Sequence, residues 1–137
     1  MSIADTNSIL KEYLDTCTTL TDLVKAVGEE ARIYCPRLPE NAILPAVGFF
    51  TRGGTSTPYI PGIISPSVQF DCWAASPIVA RQVYRALYDN LQGIQNVKVG
   101  SYYIMSAIEE MQGQDLVDEI PGYFRVLTFF SVMVRAE

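Results

Sequence analysis

Histidine is absent from the 137-residue chain. The commonest general base, the commonest metal ligand and the usual partner of a serine or cysteine nucleophile are therefore missing. Cysteine is sparse: Cys17, Cys35 and Cys72 show no CxxC spacing, and a zinc site without histidine needs four thiolates. Each cysteine sits among apolar neighbours and reads as a small buried hydrophobe rather than a reactive thiol. No GxGxxG occurs, and Gly53-Gly54 is followed by neither Lys-Ser/Thr nor a helical pattern, so it reads as a flexible turn rather than a phosphate cradle. No signal-peptide pattern and no apolar run near bilayer length is present, and the expectation is a chain made and kept in a reducing cytosol, without a membrane partner. Charge is also scarce, at 18% of residues, and it is acidic on balance: 15 Asp and Glu against 10 Lys and Arg, net −5. The basic residues are scattered, which argues against gripping a nucleic-acid backbone or an anionic lipid surface. The sequence thus predicts no catalytic residue, no metal, no cofactor and no enzymatic activity.

What the chain has in quantity is apolar surface, 49% of residues, enough for a core without metals or disulfides in a single domain spanning 1–137. Ile9, Leu10, Tyr13 and Leu14, then Leu20, Leu23, Val24 and Val27, recur at helical spacing, which predicts a broken helix or helical hairpin over residues 1–30. Thr19 or Thr21 is a candidate cap and Gly28 a candidate terminator. A short strand follows over 31–35, ended by Pro36, and then a turn-rich connector and a second strand at 46–51. Arg52 to Pro66, with Gly53-Gly54 and prolines at 58, 61 and 66, reads as a long irregular loop. Its Tyr59, Ile60, Ile63 and Ile64 mark it as a segment that docks on something.

Residues 67–75 alternate Val68, Phe70 and Cys72 against Gln69, Asp71 and Trp73, the period of a strand with one buried face. Ser76-Pro77 opens the best-defined helix, with Ala80, Val83, Leu87 and Leu91 on one face and Gly93 at its end. Two further strands are expected, 97–111 with a break at Gly100 and 122–136, separated by an acidic hairpin over 112–121. The fold class is α+β: an antiparallel sheet of four to five strands, with the long helix and the N-terminal helical unit packed on one face. In the last strand Phe124, Val126, Phe130, Val132 and Val134 make the better core face, yet the opposite face carries Leu127, Phe129 and Met133 between Arg125 and Arg135. The helices cover only one side, so Trp73, Leu127, Phe129 and Met133 need a lid from the 52–66 loop or from another copy.

Carboxylates cluster at Glu109-Glu110 and at Asp115, Asp118 and Glu119. Such groups can hold a divalent metal or share acid–base work, but adjacent strand residues point to opposite faces, so Glu109 and Glu110 do not share a site. A solvated acidic edge is the simpler reading. In a ring these side chains would be multiplied along a channel, keeping a DNA passage free of sticking contacts.

The order of elements, with Ile33-Tyr34-Cys35-Pro36, the aromatic strand Val47 to Phe50, Val68-Gln69-Phe70-Asp71-Cys72-Trp73-Ala74 running into the helix, and a closing Tyr123-Phe124-Arg125-Val126-Leu127-Thr128-Phe129 strand, resembles the tail-completion proteins of long-tailed phages. It is similar to the lambda-type tail terminators and to the tail-to-head joining proteins, over nearly the whole chain. The resemblance implies a virion subunit, made in the host cytoplasm, that closes into a homohexameric ring in the neck. Such a ring caps the head-proximal end of the tail tube, meets the head-side connector or stopper, and lets genome DNA pass without specific binding. The family brings no catalytic residues, cofactor or metal. The 52–66 loop and the 112–121 hairpin depart from its usual pattern and are partner-contact candidates. A different class of reading is an α+β adaptor with a peptide or small-molecule pocket near Trp73.

Overall fold

The computed structural model describes residues 5–25, 30–35, 43–56, 63–117 and 123–136. Three helices, α1 (Thr6–Asp15), α2 (Thr18–Val24) and α3 (Pro77–Leu91), pack on a sheet of six strands: β1 (Ile33–Tyr34), β2 (Ala46–Ser56), β3 (Ile63–Ala74), β4 (Gln95–Val99), β5 (Tyr102–Val117) and β6 (Phe124–Ala136). The strand order is β1-β2-β3-β6-β5-β4, and the sheet curls into a half-barrel. The sheet is larger than the expected four to five strands and is mixed, because the two-residue β1 pairs with β2 in parallel while every other pair is antiparallel. Ile33 has little periodicity to display over so short a run, but it is buried against Val47, and that apolar contact fixes the edge.

The core follows from the period-two pattern of β3 and β6. Val68, Phe70, Cys72 and Ala74 are fully buried beside Val126, Thr128, Phe130, Val132 and Val134. Phe49, Phe70 and Phe130 cross three adjacent strands, with ring centroids 5.6 Å apart in a stacked pair and 5.7 Å apart edge to face. Truncating any of these rings to Ala costs about 3–5 kcal/mol. From the helical side, Ile9, Leu10 and Leu14 of α1, Leu20 and Val24 of α2, and Ala80, Val83, Leu87 and Leu91 of α3 complete one continuous cluster. Pro77 stands at the start of α3, where its missing N–H is harmless, and Ser76 precedes it without a side-chain capping bond. Cys17, rather than Thr19 or Thr21, occupies the N-cap position of α2, again without a side-chain bond. Beyond α3, Gly93 takes φ +79° and donates its N–H to the Ala107 carbonyl, tying the helix exit to β5.

Two expectations are corrected. Residues 52–56 and 63–66 are not a loop: β2 and β3 continue as a hairpin past a bulge between Thr51 and Gly54. Gly54, at φ +128°, has no room for a side chain, because a Cβ there would lie 2.3 Å from the Ser65 carbonyl oxygen and 2.5 Å from the Pro66 Cα. The glycines and Pro66 that read as loop chemistry are the chemistry of a bulged hairpin. Likewise residues 112–117 are not a free acidic hairpin, since β5 runs through them to Val117 with register shifts at Ile104/Ser106, Glu109/Met111 and Met111/Gln114. Each shift adds local twist and bends the strand. The break at Gly100 is a tight turn between β4 and β5, with Gly100 at φ +59°.

Candidate assembly face

The sheet has one helix-covered face and one that carries a row of partly exposed side chains. In register across β2, β3, β6 and β5, the second face holds Phe50, Gln69 and Phe129; Asp71 and Leu127; Trp73, Arg125 and Leu116; and Ile63, Arg135 and Tyr103. Leu127, Phe129, Met133 and Trp73 are half-buried there, and Ile108, paired with Ser131, is 56% exposed. Aromatic and aliphatic side chains of this size on a water-facing sheet make the face a candidate interaction surface.

Arginines sit over the rings of this face. The Arg125 guanidinium sits 5.1 Å from the Trp73 ring centroid, Arg135 lies 4.7 Å from that of Tyr103, and Arg52, across the sheet from β2, lies 4.5 Å from that of Phe129. Cation–π contacts of this kind contribute roughly 0.5–1 kcal/mol each where solvent reaches them. Arg125 also approaches Asp71 at 3.7 Å, and Gln69 donates to the same carboxylate at 3.3 Å. The Nε atoms of Arg125 and Arg135 are buried and find no hydrogen-bond partner among the described residues. A buried donor left without an acceptor costs about 1–3 kcal/mol, a cost set against the ring contacts that hold both arginines in place.

Of the residues singled out in the sequence, Trp73, Leu127, Phe129 and Met133 share this face. Ile63 joins them opposite Arg135, whereas Ile64 pairs with Val134 and packs against the core. Tyr59, Ile60, Asp118 and Glu119 lie outside the described residues. The acidic candidates on β5 separate. Glu109 turns to the helical side, where its carboxylate accepts from Tyr84 Oη and Thr128 Oγ1, both at 2.7 Å, and its backbone N–H donates to Gln92 at 2.7 Å. Asp115 receives Arg81 Nε at 2.8 Å, while Arg81 Nη2 also donates to the Gly113 carbonyl at 3.0 Å. Glu110 is exposed. These contacts clamp α3 onto the bulged part of β5. Tyr84 Oη additionally accepts the Gly113 N–H at 3.1 Å, and a Cβ on Gly113 would come within 2.7 Å of the Tyr84 ring. Burial, reinforced by the Glu109 carboxylate, pushes the Tyr84 hydroxyl up to about 12.

The cysteines divide differently from the expectation. Cys17 and Cys72 are buried and Cys35 is exposed, all three as free thiols, and Cys72 is pushed well above its usual range by burial and by the neighbouring Asp71. Open clefts lie in the helical layer, one lined by Asn7, Lys11, Glu12, Asp15 and Cys35 and another by Thr19, Gln82, Arg85 and Asp89. Neither includes Trp73, which is capped by Arg125. Sequence reasoning found the apolar half of the open face but not its arginine–aromatic pairs. Those depend on cross-strand register, which one strand's pattern does not reveal.

No protein-family profile matches the chain, and no curated protein does. The fold is similar to that of a chain in a solved structure described as the virion of a native gene transfer agent particle. The likeness has a TM-score of 0.63 at 14% identity and covers 94% of this chain and 93% of that one.

Proposed function

We propose that this chain is a structural subunit of a phage-type virion, working by self-assembly rather than by catalysis. In this reading the copies form a ring, taken as a hexamer, that caps the head-proximal end of the tail tube. The ring stops tube growth and presents its other side to the head-side connector, while DNA passes through the lumen unbound. The observation that carries the proposal is the open sheet face: Trp73, Leu127, Phe129, Met133 and Ile108 lie on a side of the half-barrel that no described element covers, while all three helices pack on the other. A fold shared over nearly its full length with a chain of a gene transfer agent virion supports the setting. Exposed Glu110 is the described carboxylate still available to a lumen, because Glu109 and Asp115 are engaged with Tyr84 and Arg81.

The test is to incubate purified protein with uncapped tail tubes and image the tube ends by negative-stain electron microscopy. Rings at one end, and tubes that no longer elongate when more tube protein is added, are the expected result. A protein that stays a monomer and leaves tube ends bare would overturn the proposal.

A further inference from the structure

We infer that the open sheet face accepts a carboxylate-bearing surface of a second copy of this chain, in a head-to-tail contact rather than sheet against sheet. The inference rests on the assembly reading above and assigns its contact. The register places Arg52, Lys98, Arg125 and Arg135 on this face, with Asp71 and, at the β5 bulge, Glu110 as the carboxylates among them. In a chain of net charge −5, the face is therefore locally cationic. Two such faces packed on each other about a two-fold axis would bring like charges together in a largely apolar contact, which disfavours a closed symmetric dimer. The opposite, helical side of the molecule exposes Glu12, Asp22 and Asp89, none of which forms an ion pair among the described residues. Carboxylates from that layer supply acceptors to the partly exposed side chains of Arg125 and Arg135.

A polyanionic nucleic acid fits the face less well. Its arginines sit over Trp73, Tyr103 and Phe129 rather than forming a continuous basic stripe, and the chain as a whole repels phosphate. A contact joining two different surfaces of the same subunit repeats from copy to copy, and it generates a ring when the rotation closes.

The experiment uses two full-length variants and native mass measurement. Arg125→Glu with Arg135→Glu removes the sheet-face donors. Glu12→Gln, Asp22→Asn and Asp89→Asn together remove the charged acceptors of the helical layer. Each variant alone should remain folded by circular dichroism and fail to assemble, with the protomer–protomer Kd raised on the order of thirty-fold or more. Mixed one to one, they should form a pair that grows no further, because each retains the half-interface that the other lacks. Either variant assembling like the wild type, or a mixture that stays monomeric or grows into full rings, would overturn the inference while leaving the assembly proposal standing. A wild type that never associates, alone or on tail tubes, would overturn the proposal itself. If the sheet-face variant fails to fold, wild-type assembly measured against salt decides. Weakening with rising salt is expected of charge-assisted contacts, and strengthening, as for a purely apolar interface, contradicts it. Binding of duplex DNA that competes with assembly and is lost in the arginine variant would also contradict it.

Discussion

Replacing Tyr84 by Phe removes one oxygen atom and tests how α3 holds the bulged strand. Tyr84 Oη donates to Glu109 at 2.7 Å and accepts the Gly113 N–H at 3.1 Å. The ring itself fills the space left open by Gly113, and Phe preserves it. After the substitution Glu109 keeps its bond from Thr128, but the Gly113 N–H loses its acceptor beside a buried ring. The loss is about 1–3 kcal/mol, the range for a buried bond that involves a charged group and strands its partner. For a domain of this size each kcal/mol lowers the Tm by about 3–5 °C, so a fall of about 3–15 °C in a thermal melt is expected. A double-mutant cycle with Glu109→Gln isolates the pair, and a coupling of about 1 kcal/mol is expected. Tyr84→Phe within about 0.3 kcal/mol of the wild type, or strict additivity in the cycle, would refute the clamp, since surface changes away from such features stay within about 0.5 kcal/mol.

Gly54→Ala should destabilise the β2–β3 hairpin by at least about 2 kcal/mol, because a Cβ would meet backbone atoms of Ser65 and Pro66 at a positive φ, and urea unfolding measures it. Stability should fall as pH rises from about 10 to 12. Tyr13 and Tyr84 are both pushed up to about 12 by burial, so in that window the unfolded chain ionises them while the folded chain keeps their protons; their contribution is complete below the unfolded value and lost as pH passes the folded one, which chemical denaturation at stepped pH will show. A small maleimide should label Cys35 in the native protein at least about tenfold faster than Cys17 or Cys72, which react only on opening; mass spectrometry of timed samples checks the order.

The elements with an uninterrupted period were legible in the sequence. Val68, Phe70 and Cys72 alternate into β3, Ala80 to Leu91 repeat along α3, and the two apolar faces of β6 predicted a sheet covered on one side only. The parts that eluded sequence reading share a physical cause: bulges. Gly53, Gly54 and Pro66 have loop propensities, but those same propensities let β2 and β3 continue past a register shift. Gly113 similarly carries β5 through a segment that looked like an acidic hairpin, and its missing side chain makes the seat for Tyr84. At the candidate site, single-strand patterns exposed Trp73 and Leu127 but not the partnership of Trp73 with Arg125 or of Tyr103 with Arg135. Those pairs exist only once the antiparallel register is set.

Trp73 is the chain's one tryptophan and stands on the face in question, so its fluorescence reports directly on whether another copy covers that face. Acrylamide quenching measured across a protein dilution series, with native mass recorded at each point, is the decisive measurement. Quenching that falls and emission that shifts to the blue as protomers of 15.2 kDa associate are the predicted result. Association with unchanged Trp73 quenching would contradict the account, as would a protein that remains a single protomer at every concentration and on every tail-tube end.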